Sequence, residues 1–173
     1  MHKEIINNIF LVCALILAQV LACNHIMLFN VAMAFVFIYF IVRLPMDLNI
    51  NIVLTLAFFT GLAVDIFSDT PGMNAMACTI LAMMRRPLLY AYIPRDDRTK
   101  NIVPSLKNLG FIVYGKYLFS MSVVYCLLIF SIEYFSFADV KEIIFMSAAS
   151  SAFTFLVLLG VDSIIMTNRE KRL

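Results

Sequence analysis

Six apolar runs, separated by short polar or basic breaks, leave this chain few folds to choose from. They lie at residues 5–23, 26–42, 49–67, 71–86, 110–132 and 143–167. A helix crossing a bilayer needs about 20 predominantly apolar residues, so each run is near the length of one crossing. The chain is 63% hydrophobic and 14% charged, with a mean hydropathy of +0.95. A soluble fold of 173 residues has too little interior to hide that much apolar surface. The expectation is an all-α integral membrane protein, residues 1–173 forming a single transmembrane domain. Its fold is a bundle of about six transmembrane helices.

The breaks refine this picture. Lys3, the apolar core and Val20-Leu21-Ala22-Cys23 also fit a cleaved signal segment, so the first run has two readings. The run at 71–86 rises only ~24 Å at 1.5 Å per residue. Arg85 and Arg86 are therefore expected to reach up to the lipid headgroups, and Pro87 to end the helix. The connection at 87–109 is basic and partly apolar, a composition suited to the membrane surface rather than to nucleic acid. With both termini in the cytoplasm, 12 of the 13 Lys and Arg residues fall inside and only Lys141 outside. That is the asymmetry of the positive-inside rule, and it favours an even number of spans.

Few groups suited to catalysis are present. Cys13, Cys23, Cys78 and Cys126 stand singly in apolar surroundings, and His2 and His25 are isolated. No zinc spacing, phosphate-binding loop or nucleophile elbow occurs. No enzyme activity, cofactor, catalytic residue or metal site is therefore expected. Met73, Met76, Met83 and Met84 read as fillers between helices. Small residues recur every four positions at Ala14/Ala18/Ala22, Ala57/Gly61, Ser147/Ser151 and Ala148/Ala152. Such spacing lets helices approach closely, within one chain, with a second copy or with a partner. Asp162 is expected either to pair with Lys116 or Arg85 or to lie as an interfacial acid among basic headgroup neighbours.

Asp65 is the one carboxylate inside the apolar run at 49–67, just below the turn Ser68-Asp69-Thr70-Pro71-Gly72. Asp69 or Thr70 can cap the next helix, with Pro71 at its first position. The stretch reads as a tight antiparallel helical hairpin. An intramembrane acid is costly and marks a candidate site, although Asp65 also lies close enough to the turn to meet interfacial water. If it accepts hydrogen bonds structurally, Asn should be tolerated there better than Leu. Gly61, Asp65, Ser68, Pro71, Gly72 and Asp162 are the candidate structural and partner-contact residues.

Arg43-Leu44-Pro45, then Gly61-Leu62-Ala63-Val64-Asp65-Ile66-Phe67-Ser68, then Thr70-Pro71-Gly72-Met73-Asn74-Ala75 resembles the rod shape-determining membrane protein MreD family. The likeness is strongest over residues 43–84. The chain departs from the pattern in its longer basic loop and in Asp69, where a small residue is expected. The resemblance implies a non-catalytic protein of the bacterial inner membrane, working with an MreC-like protein. Indirect partners are a RodA-like glycosyltransferase, a class B penicillin-binding transpeptidase and MreB-like filaments that organise side-wall peptidoglycan synthesis. The family is also similar in architecture to substrate-binding subunits of energy-coupling-factor transporters. That implies an alternative, a small-molecule-binding subunit docking through Ala14/Ala18/Ala22, although the short outer connections leave little material for a lid over a ligand.

Overall fold

A computed structural model describes residues 12, 14–20, 33–94, 103–133 and 140–170, with the backbone alone at 140, 142 and 166–170. Residues 12 and 14–18 are helical and run into a π turn at 19–20 (α1). Then come α2 (Ile38–Arg43), α3 (Ile50–Ser68), α4 (Met73–Tyr92), α5 (Leu106–Glu133) and α6 (Val140–Glu170). No strand occurs among the described residues. Helix α3 packs on α4, α4 on α5 and α5 on α6, while α2 lies against α4. Three helices are long and apolar enough to cross a membrane: Ile50–Ser68, Leu106–Glu133 and, within α6, Ile143–Ile165.

Helices α3, α5 and α6 form because long apolar runs in lipid must satisfy every backbone group internally. Two of the expected runs behave differently. The run at 26–42 is not one continuous helix, because residues 33–36 form no regular structure and helix begins only at Ile38. Its residues 26–32, most of the run at 5–23 and the loop residues 95–102 lie outside the described residues. The second difference is at Pro87, which does not end α4. The helix continues to Tyr92, because tertiary contacts hold its last turn. Leu89 is fully buried, and the Tyr92 hydroxyl meets Ser120 Oγ of α5 at 2.7 Å. A proline inside a helix removes one hydrogen bond and kinks the axis, and these contacts offset that loss.

Helix α5 has its own break. Gly110 sits at φ 75°, ψ 161°, a region essentially reserved for glycine. It separates a turn at 106–109, whose Asn108 and Leu109 N–H groups donate to Ser105 O, from the long helix that follows. The expected start of that span at Gly110 therefore marks a kink.

Candidate functional site

The hairpin between α3 and α4 is built around Asp65. Helix α3 ends where Asp69 turns left-handed, at φ 56°, and Thr70 N–H donates to Asp65 O at 3.2 Å. Among side-chain-bearing residues, Asp and Asn tolerate that conformation best, which accounts for an acid where a small residue is expected. Gly72, at φ 77°, is the N-cap of α4 and supplies no side-chain cap. The cap comes instead from the neighbouring helix. Asp65 Oδ1 accepts from Asn74 N–H at 3.0 Å and Oδ2 accepts from Ala75 N–H at 2.9 Å. These are the second and third N–H groups of α4, which have no partner within their own helix. Thr70 Oγ1 and Asn74 Nδ2 also donate to Oδ1, at 2.8 and 2.9 Å. Asp65 therefore replaces the expected Asp69 or Thr70 as the cap, and the positive end of the α4 dipole favours its charge.

This arrangement requires Gly61. A Cβ there would lie 2.5 Å from Asn74 O and 2.6 Å from Ala75 Cα, well inside van der Waals contact with backbone. The small-residue step Ala57/Gly61 is thus used inside the chain, where α3 meets the first turn of α4. Ser68 is half-buried at the end of α3, and Pro71 and Gly72 are exposed in the turn. The network continues inward, because the Tyr125 hydroxyl of α5 donates to Asn74 Oδ1 at 2.5 Å.

Asp162 lies elsewhere, fully buried on α6, and it pairs with neither Lys116 nor Arg85. The Tyr39 hydroxyl donates to its Oδ1 at 2.5 Å, and Arg43 Nη1 donates to that hydroxyl at 2.6 Å. The guanidinium itself stands 3.9 Å from the carboxylate. Leu106 N–H, in the turn before the α5 kink, donates to Oδ2 at 3.3 Å. Asp162 therefore ties α2, α5 and α6 together and is no interfacial acid. The other expected candidate, Arg85, is occupied by backbone. It is 1% exposed, and its Nη2 donates to Leu44 O and Pro45 O at 2.8 and 2.7 Å. Arg86 holds Met46 O and Leu48 O in the same way. Both arginines fasten the α2–α3 connection and do not reach for headgroups. Met76, Met83 and Met84 are exposed on α4 and fill no gap between the described helices.

The irregular segment at 33–36 has its backbone met by side chains of two other helices. Gln19 Nε2 donates to Ala34 O at 3.0 Å, and Gln19 Oε1 accepts from Val36 N–H at 2.8 Å. Ser150 and Thr154 of α6 accept from Met33 and Phe35 N–H at 3.2 and 3.1 Å. Irregular backbone at membrane depth survives only where protein or a wet cavity surrounds it. A cavity of about 240 Å³ adjoins this segment, lined by Met33, Phe35 and Phe37 together with Thr70, Asn74 and Glu133.

Of these groups, the sequence alone identified Asp65 and Asp162 but not Asn74, Tyr125, Tyr39 or Arg43 as their partners. Gln19 is a polar residue within the apolar run at 5–23, with nothing near it in sequence to mark its partners. Among the described residues no group of three or more His, Cys, Asp and Glu side chains could hold a metal ion. These features define an all-helical protein of membrane type, with three helices able to cross a bilayer by length and composition. No protein-family model matches the chain, and no curated protein or solved structure matches it.

Proposed function

We propose that this chain is a non-catalytic, multi-pass component of the bacterial inner membrane. It helps an MreC-like partner organise side-wall peptidoglycan synthesis and rod shape. The observation that carries this reading is the part played by the MreD-like residues. Gly61 receives the first turn of α4, Asp65 caps it, Asp69 and Gly72 make the turn, and Arg43 joins the Asp162 network. The quoted pattern thus coincides with the residues that build the hairpin, as expected if the pattern encodes a shared scaffold. The reading includes six crossings with both termini in the cytoplasm, supported by the distribution of Lys and Arg.

Affinity purification of the tagged chain from its own membranes tests the reading. An MreC-like protein should be retained, and depletion of the chain should round rod-shaped cells. Cysteine labelling should mark position 69 from outside and position 99 only from within. Retention of an energy-coupling transporter subunit with no MreC-like protein would overturn the scaffold reading.

The cavity of about 240 Å³ beside the irregular segment at 33–36 favours a second reading, a small-molecule-binding subunit of an energy-coupling-factor type transporter. Non-helical backbone within a membrane protein commonly lines a substrate cavity.

A further inference from the structure

We propose that the cavity between the irregular segment at 33–36 and the α3–α4 hairpin binds a small organic ammonium ion with an apolar body. The inference deepens the second reading above and rests on the same cavity. Met33 and Phe35 of the irregular segment, with Phe37 just beyond it, line the wall. The Phe35 and Phe37 rings are each fixed edge-to-face against Tyr125. With Val64, Met73 and Ile129 they offer an apolar, partly aromatic surface that suits an alkylated cation.

Charge and hydrogen-bond supply separate a cation from an anion here. Among the described residues, no Lys, Arg or His lines the cavity, and Glu133 is the only ionisable group on its wall. Glu133 has no hydrogen bond or ion pair among the described residues. The donors facing the cavity are already committed. Thr70 Oγ1 donates to Asp65, and both the N–H and the Nδ2 of Asn74 donate within the hairpin. Gln19 Nε2 donates to Ala34 O. An anion would thus find few free donors. Helix α3 ends at the wall, at Ser68, so its negative terminus adds to the carboxylate, while the positive start of α4 at Met73 and Asn74 is met by Asp65. The volume lies below the usual range for drug-sized ligands, which limits the body to a few short alkyl groups.

The test uses the full chain purified in detergent and titrated calorimetrically with tetraethylammonium, with 3-ethyl-3-pentanol as a neutral analogue of similar shape. Saturable one-to-one binding of the cation is expected, with the alcohol weaker. Glu133→Gln, which removes the charge, should weaken the cation ~5-fold, the size of about one rim ion pair. Met73→Phe, which narrows the wall, should weaken both ligands. Unchanged melting temperatures confirm that each variant is folded. Equal affinity for the alcohol, an unchanged affinity in Glu133→Gln, or no saturable binding to the folded wild-type chain would overturn the proposal. A neutral or anionic vitamin retained in place of the cation also overturns it while leaving the second reading intact. Cation binding with no energy-coupling partner does the reverse. Displacement of tetraethylammonium by phosphatidylethanolamine but not phosphatidylglycerol in mixed micelles assigns the natural ammonium to a lipid headgroup. Lack of displacement assigns it to a free amine.

Discussion

Asp65 and Asp162 are both buried carboxylates that accept backbone N–H groups at the start of a helical turn, yet they are stabilised in different ways. Asp65 accepts four hydrogen bonds, all from neutral donors within ten residues of itself. Asp162 relies on a phenol 123 residues away, one N–H 56 residues away and a guanidinium at 3.9 Å. The first is a local cap strengthened by a helix dipole. The second is a long-range tie among three helices that contains a real counter-charge. A carboxylate in a poorly screened interior can be held by well-aimed dipoles alone or by a paired cation. Which of the two is used decides what a substitution leaves behind.

The strongest challenge to the Asp65 site is Gly61. Even Gly61→Ala places a methyl group 2.5 Å from Asn74 O, so α3 and α4 must part and the cap with them. Gly61→Leu should cost about 3 kcal/mol or more, at the top of the usual range for overpacking. It is expected to abolish monodisperse protein in size-exclusion chromatography. Wild-type elution would show that the helices tolerate separation at this point.

The next largest effect should come from the charged site, and it should be asymmetric. Arg43→Gln leaves Asp162 fully buried without its counter-charge. Because Arg43 is 14% exposed and stands 3.9 Å from the carboxylate, the loss should fall below the about 3–5 kcal/mol typical of a fully buried broken pair. Asp162→Asn keeps an acceptor for Tyr39 and leaves only Arg43, 14% exposed, which can turn toward water. The melting temperature should fall further in Arg43→Gln than in Asp162→Asn. The opposite order would mean that the phenol, rather than the guanidinium, stabilises the carboxylate.

Substitution at Asp65 sharpens the contrast. Asp65→Leu leaves the N–H groups of Asn74 and Ala75 unmet and should be the more damaging. Asp65→Asn retains one acceptor oxygen where two are in use. Its amide would face one of the α4 N–H groups donor to donor. A loss of about 1–3 kcal/mol is expected, read as a lower thermal midpoint in detergent. If Asn matches wild type, the second oxygen contributes little and the cap is a single bond.

The smallest effect should be favourable. Asp69→Gly relieves a left-handed residue while adding freedom to the unfolded chain. A net gain under about 1 kcal/mol should appear as a slightly higher melting temperature. A decrease would show that the Asp69 side chain itself contributes to the turn.

How far each site was legible follows from the distances along the chain. The apolar runs at 49–67 and 143–167 announced helices because lipid leaves backbone no other partner, and α3 at Ile50–Ser68 falls within a residue of its expected bounds. The hairpin was legible too, since Gly61, Asp65 and Pro71-Gly72 lie within twelve residues and act through local turn chemistry. The choice of Asp65 as the cap was not legible, because it depends on α3 approaching α4 closely enough to aim a side chain at the next helix. Less visible still were the break at 33–36, the burial of Arg85 and the pairing of Asp162. A run of Ala, Phe and Val residues reads as continuous helix until Gln19, Ser150 and Thr154 arrive to accept and donate in place of helical partners. Sequence determined where apolar chain must become helix and where it can turn tightly. Tertiary structure decided where apolar chain stays out of a helix and which charges meet, because a buried polar group takes the partner that packing brings within reach, however distant it is along the chain.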